Sequence, residues 1–236
     1  KKATDTLYLE VLSEQLAQFA GAIIVKRLEF LAELERYAKE IHGQITQDKE
    51  QLAFSYESSL KEPSQATENE ITKALKKGFA NLQQKEIFQG TTLLGPHRDD
   101  VVFKINEQNV QIYGSQGQQR TTALSVKLAE IELMKNKTGE YPILLLDDVL
   151  SELDGNRQTH LLKTIQGRVQ TFLTTPGLND ITQQLIKEPK IFHIDDGQIS
   201  ENSEMAENHI DWVSEDENKV VTFYPKNEKS KKGQST

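Results

Sequence analysis

Apolar residues recur at helical spacing over the first forty residues of the chain. Leu9, Leu12, Leu16, Phe19 and Ile23 alternate steps of three and four, and Ile24, Leu28, Leu31, Leu34 and Ile41 form a second stripe. Glu10, Lys26, Arg27 and Glu33 fill the opposite face. This spacing predicts a long amphipathic helix. Gly21 interrupts it at a cost of about 1 kcal/mol, and Gly43 is the expected stop. Leu52, Phe54 and Tyr56 then alternate with Ala53, Ser55 and Glu57, the period of a short strand. Pro63 and Ser64 mark a turn, and a second helix is expected from about Thr67 to Gln89, with Ile71, Leu75, Phe79 and Leu82 on one face.

The texture changes after Gly90. Val101 to Ile105 and Val110 to Tyr113 read as two short strands of a hairpin turned at Asn106 to Asn109. A helix from about Gln118 to Lys135 follows, with Leu124, Leu128, Ile131 and Met134 on one side. Tyr141 to Leu146 is a continuous apolar run, expected to be a strand buried on both faces. Helix at Arg157 to Gln166, strand at Val169 to Thr174, helix near Leu178 to Lys187 and strand at Lys190 to Ile194 complete an alternation that predicts a parallel α/β core. Beyond Ser200 an acidic stretch and then a lysine-rich end read as a solvated tail, in which Ile210 to Val213 and Val220 to Tyr224 are candidates for pairing. The expected organisation is a helical arm over 1–88, an α/β lobe over 89–200 and a charged tail over 201–236.

Composition narrows the function classes. The chain has 236 residues, of which 36% are hydrophobic and 27% charged, enough for one or two domains. Cysteine is absent, which removes disulfides, thiolate metal sites and cysteine nucleophiles and fits a reducing cytoplasm. No run approaches the roughly 18 apolar residues of a membrane span. No two of the five histidines stand at metal-ligand spacing. The net charge of −8 argues weakly against a nucleic-acid coat protein, yet leaves room for a local basic patch. The chain opens on Lys1-Lys2 without methionine, which suggests that a preceding portion is missing.

Three segments carry the chemistry. Ile143 to Leu146 followed by Asp147-Asp148 sets two carboxylates at the end of an apolar strand, where open α/β sheets bind ligands. The first acid suits Mg²⁺ and the second suits orienting a water; a plain Asp-Asp turn is the alternative. Ser151-Glu152-Leu153-Asp154 follows without a gap, as the (S)xLD segment follows Walker B in ABC-type ATPases, and Asp154 or Asn156 also fits as a helix cap. About thirty residues before the strand, Tyr113-Gly114-Ser115-Gln116-Gly117-Gln118-Gln119-Arg120 enters a helix, a turn suited to an anion. A phosphate-binding loop GxxxxGK[ST] is missing: Gly90 and Gly95 have its separation, but Pro96 and His97 stand where Lys and Ser/Thr are required. This chain alone is therefore expected to bind ATP poorly. His97 and Arg98 beside Asp99 and Asp100 read either as a salt-linked turn or as a contact to nucleotide or DNA phosphate. Lys73, Lys76 and Lys77 read as a solvated face or a DNA-backbone contact.

Gly95 to Asp100, the GSQGQQRTTALSVKLAEIE run from Gly114, ILLLDDVLSELD from Ile143 and the opening LEVLSEQLAQFAG together resemble the RecF family of bacterial recombination mediators, over roughly residues 1 to 200. The resemblance implies an ABC/SMC-like ATPase head lobe, α/β with a partly parallel sheet flanked by helices, carrying an N-terminal helical arm. It implies ATP and Mg²⁺ held between two heads of a homodimer. Ser115, Gln116, Gly117 and Gln118 would contact the γ-phosphate of the partner's nucleotide, with Asp154 at the interface. Asp147 would serve the metal and Asp148 would be the catalytic carboxylate. Thr174 or Thr175 stands at the γ-phosphate sensor position, of which Thr175 is the candidate retained, although the usual histidine is absent. Expected partners are DNA, RecR- and RecO-type mediators and RecA, in the cytoplasm and without a membrane. The whole protein would be a weak DNA-dependent ATPase. Another SMC-like ATPase, or a helical interaction module with a degenerate ATPase lobe, are the alternatives.

Overall fold

The structure is a computed structural model that describes residues 6–60, 67–151, 153–175, 185–186, 189–195, 198–201 and 218–223. The chain forms two compact units, Lys1–Thr122 and Ala123–Thr236.

The first unit is built on α1 (Thr6–Thr46) and α2 (Glu68–Gln89). Ala17, Ala20 and Ile24 of α1 meet Ile71, Leu75 and Phe79 of α2 and the side chain of Leu94 in one buried cluster. The alanines let the helices approach, and Gly21 takes this furthest: a Cβ there would lie 2.3 Å from Thr72 Oγ1. The entropic penalty of a glycine in mid-helix therefore has a packing return. α1 does not stop at Gly43, which is buried within it; it runs on to Thr46, and the left-handed Gln47 and Asp48 (φ 55° and 56°) then turn the chain. Thr67 caps α2 in a capping box with Glu70, and left-handed Gly90 closes it. The Pro63-Ser64 turn lies outside the described residues.

β1 (Leu52–Glu57), β2 (Asp100–Ile105) and β3 (Gln108–Asn109) form an antiparallel sheet in which Leu52 faces Ile105 and Glu57 faces Asp100. Phe54 and Phe103, directly paired, stack edge to face at 4.8 Å. Because β2 pairs with β1, the compact unit extends past residue 88 to Thr122. Val110 to Tyr113, expected as a strand, is instead the single turn α3. Asn109 is the cause: its Oδ1 accepts from the N–H groups of Gln111 and Ile112 and starts a helix where apolar content alone suggested a strand. The boundary between the units falls within α4 (Gln116–Thr138).

The second unit holds a sheet of β4 (Leu144–Asp147), β5 (Thr171–Thr175), β6 (Lys190–Asp195), β7 (Gln198–Glu201) and β8 (Asn218–Phe223), in the order β4-β5-β8-β6-β7. β4 and β5 are parallel and the other pairings antiparallel, so the sheet is partly parallel. α5 (Gly155–Ile165) connects the parallel pair. β8 arises from the charged stretch beyond residue 200, and its Val220 and Val221 are among the residues noted as pairing candidates. Ile210 to Val213 and most of the expected helix at 178–187 lie outside the described residues. β4 is not buried on both faces: Leu145 is 74% exposed, and Ile143 just before the strand is 61% exposed. Among the described residues, no helix is long and apolar enough to cross a membrane.

Candidate functional site

The glycine-serine turn lies in the first unit. Ser115 caps α4 through a reciprocal pair: its Oγ accepts from the Gln118 N–H at 3.2 Å, and the Gln118 side-chain Oε1 accepts from the Ser115 N–H at 2.9 Å. This is the capping-box arrangement with glutamine in the third helical position. Ser115 and Gln116 are exposed, while Gly117 and Gln118 are half-buried. The first turn of α4 holds no acidic residue and its last turn holds Lys135 and Lys137, so nothing in its own first turn offsets the positive end of the helix dipole. Gln118 Nε2 donates to Glu50 Oε1 at 3.0 Å, and Glu50 Oε2 lies 3.2 Å from Nε2 of the fully buried His42. Neither Glu50 nor His42 stands out in the sequence as a site residue.

The paired acids lie in the second unit. β4 and β5 run in parallel register with Asp147 beside Thr174, and the Thr174 hydroxyl donates to Asp147 Oδ1 at 2.5 Å. The Asp148 N–H points back at Thr174, 3.1 Å from its Oγ1 and 3.2 Å from its carbonyl. Asp148 has left-handed backbone, φ 48°, so the chain breaks sharply from the strand at the second carboxylate. Aspartate tolerates this conformation better than most residues. Both carboxylates are exposed. Thr175, the sensor candidate, is instead buried within β5; strand alternation gives Thr174 the access to the acids.

The segment after the acids is anchored from beneath. Ser151 donates to the Asp148 carbonyl at 2.8 Å, and buried Gln158 donates from Nε2 to the carbonyls of Leu150 and Leu153 at 2.7 and 3.1 Å. Asp154 caps α5 by accepting from the Arg157 N–H at 3.0 Å and also pairs with the Arg157 guanidinium. The capping role read from the sequence belongs to Asp154 rather than Asn156.

His97 and Arg98 are exposed but engaged within their own loop. His97 Nε2 is 2.6 Å from Thr92 Oγ1, and Arg98 donates to the Thr92 carbonyl at 2.8 Å and to the Thr91 hydroxyl. The neighbouring Asp99 accepts from the Ser59 N–H at 2.6 Å and from the Tyr56 hydroxyl at 2.5 Å. Burial, and then this donation to Asp99, push the Tyr56 phenol up to about 12. Lys76 of α2 pairs with Glu14 at 2.5 Å, while Lys73 and Lys77 are exposed. Among the described residues no group of three or more acids and histidines forms a metal cage. The donor set at Asp147, a single exposed carboxylate, fits Mg²⁺, which commonly takes one or two carboxylates and completes its shell with water and phosphate oxygens.

No family model matches the chain. It is 68% identical over 203 residues to the DNA replication and repair protein RecF of Ligilactobacillus salivarius, covering 86% of this chain and 54% of that protein. It is 52% identical over 208 residues to RecF of Enterococcus faecalis, again 86% and 54%. Among solved structures it superposes on the recombination mediator RecF with ATP, of the RecFOR pathway, with a TM-score of 0.75 and 33% identity over 86% of this chain and 52% of the other. The RecF–ATPrS structure gives 0.74 at the same identity and coverage. The mixed sheet and flanking helices are thus an ABC ATPase fold. By these similarities, this chain is a homologue of the RecF proteins and spans about half their length.

Proposed function

We propose that this chain supplies the signature turn and the acidic strand of an ATP-dependent DNA-repair clamp. In it, the Ser115 turn of one copy faces nucleotide bound mainly by another, and Asp147 and Asp148 serve the nucleotide of their own head. The observation that carries this reading is the capped, exposed start of α4: a serine hydroxyl and the positive end of a 23-residue helix face outward together, the combination that suits a phosphate. Asp147 would hold Mg²⁺, which when bound neutralises phosphate charge. Asp148 would orient or deprotonate the attacking water, and Asp154 would lie at the dimer interface. Aspartate is one methylene shorter than glutamate, which fits slow hydrolysis.

In this reading the RecF-length protein is a weak, DNA-dependent ATPase of the cytoplasm. It acts on single-stranded and gapped or junction DNA with RecR- and RecO-type mediators, supports RecA loading and so contributes to replication restart and the SOS response. His97 and Arg98, at the exposed loop, are the candidates for a further phosphate or DNA contact. The test is ATP-dependent dimerisation of a RecF-length protein carrying this sequence, followed by analytical ultracentrifugation. Ser115→Arg abolishes the dimer while the monomer keeps its fold. A Ser115→Arg protein that dimerises with ATP as the parent does would overturn the reading.

A further inference from the structure

We propose that Glu50, presented by the turn after α1 and backed by His42, is a positioning residue for the signature turn. It fixes the Gln118 side chain and through it the orientation of Ser115. The inference rests on the reading of Ser115 as a contact to nucleotide.

The geometry is a chain of contacts inside one compact unit. Gln118 has both ends of its amide committed: Oε1 receives the Ser115 N–H and Nε2 donates to Glu50. An amide held at both ends has one rotamer and one flip state available. Releasing Nε2 leaves the Ser115 partner free to rotate away. Glu50 is itself held, because its second oxygen meets the buried His42 imidazole.

The turn that carries Glu50 is tightly made. The Thr46 hydroxyl donates to the His42 carbonyl at 2.8 Å and the Asp48 N–H donates to the Gly43 carbonyl at 2.9 Å. Gly43 leaves room for the Asp48 carboxylate, since a Cβ there would sit 2.6 Å from Asp48 Oδ1 and turn that side chain aside. Gln51 and Asn106 then exchange two bonds: the Gln51 N–H donates to Asn106 Oδ1 and the Asn106 N–H donates to the Gln51 carbonyl, each at 3.0 Å. Asn106 belongs to the hairpin that leads through Asn109 and α3 into Ser115. The signature turn is therefore braced from its own hairpin and from its first helical turn, and both braces end on Glu50 and Gln51, in the segment that follows α1. A carboxylate so close to an anion site is electrostatically unfavourable in itself, so its use there is better explained by geometry than by charge.

The experiment uses Glu50→Ala, Glu50→Asp and Glu50→Gln in a RecF-length protein carrying this sequence, with Ser115→Arg in parallel. Hydrogen exchange is followed over residues 110–120, together with ATP affinity of the monomer and the ATP-driven dimer Kd. Glu50→Ala raises exchange at the start of α4 and weakens the dimer about tenfold. Glu50→Asp, which keeps the charge but draws the carboxylate back by one methylene from Gln118 and His42, weakens it severalfold and answers the question even where the alanine variant fails to fold. Glu50→Gln, which can still accept from Gln118, stays within about twofold of the parent. Monomer ATP affinity is unchanged in all three. Folded Glu50→Asp protein with parental exchange and dimer Kd overturns the proposal, as does loss of monomer ATP affinity in step with dimerisation. If Ser115→Arg abolishes the dimer while the Glu50 variants do nothing, only the positioning role fails. If Ser115→Arg has no effect, the reading of the site itself fails.

Discussion

The Thr174 hydroxyl donates to Asp147 Oδ1 at 2.5 Å, and Thr174 Oγ1 accepts from the Asp148 N–H at 3.1 Å. One threonine on β5 thus orients the first carboxylate and tethers the backbone of the second. Thr174→Val keeps the shape and removes the hydroxyl. Because the pair is exposed, stability changes by less than about 1 kcal/mol. ATP turnover by a RecF-length protein falls about tenfold or more, since misplacing a reacting group by about 1 Å can cost a hundredfold. Steady-state hydrolysis together with thermal unfolding checks this; turnover equal to the parent's would remove Thr174 from the site.

Asp148 is held at φ 48°. Asparagine and glycine enter that region easily, whereas a β-branched residue pays roughly 1–2 kcal/mol for it. Asp148→Asn and Asp148→Gly should unfold within about 0.5 kcal/mol of the parent and Asp148→Val about 1–2 kcal/mol below it. All three should lose ATP turnover. Urea unfolding separates backbone strain from chemistry, and an Asp148→Asn protein with the parental kcat would sink the catalytic assignment.

One buried histidine, His42, and one half-buried, His160, predict acid sensitivity. Burial lowers the pKa of His42, opposed by Glu50, and burial and then Lys163 lower that of His160. His160 Nε2 has no hydrogen-bond partner among the described residues. Each group is bound to its proton less readily folded than unfolded, so its contribution to stability is complete above the unfolded value of 6.5 and is lost as the pH falls below it. Unfolding free energy measured between pH 8 and 5 should be flat above about 6.5 and decline below. His160→Leu should make that decline shallower; an unchanged slope would show that His160 does not drive it.

Tyr56 should be a late-titrating tyrosine. Its phenol is raised from 10.0 to about 12, so the stability it confers is complete below pH 10 and lost as the pH rises towards 12. Absorbance at 295 nm during alkaline titration should show a component above pH 11 that is missing in Tyr56→Phe. Removing the hydroxyl also takes a donor from Asp99 and should lower stability by about 1–2 kcal/mol.

Local signals were the legible part of this fold. The 3.6 period of α1, the alternation of β1, the start of α2 near Thr67, the Asp154 cap and the Asp-Asp terminus of β4 all depend on neighbours within a few residues. Where a short-range competitor intervened, pattern misled: Asn109 turned an apolar run into α3, and left-handed Gln47 and Asp48, not Gly43, set the end of α1. Hydrophobicity of Ile143 and Leu145 did not reveal that β4 has a single neighbour among the described strands. Contacts distant in sequence left no trace at all. Glu50 and Gln118 are 68 residues apart, and Thr174 owes its place beside Asp147 to strand register.

The cap on α4 also fixes the polarity of what Ser115 can offer. A hydroxyl has one proton and two lone pairs, and here one lone pair already receives the Gln118 N–H. What remains to offer is one proton and one lone pair, with a positive helix end behind them that favours donation to an anion. An incoming carbonyl or phosphoryl oxygen meets a ready donor, whereas an ammonium or a bare metal ion meets a half-occupied acceptor in an adverse field. The turn thus sorts visitors by hydrogen-bond sense before shape has any say, and it does so with a bond that belongs wholly to its own helix.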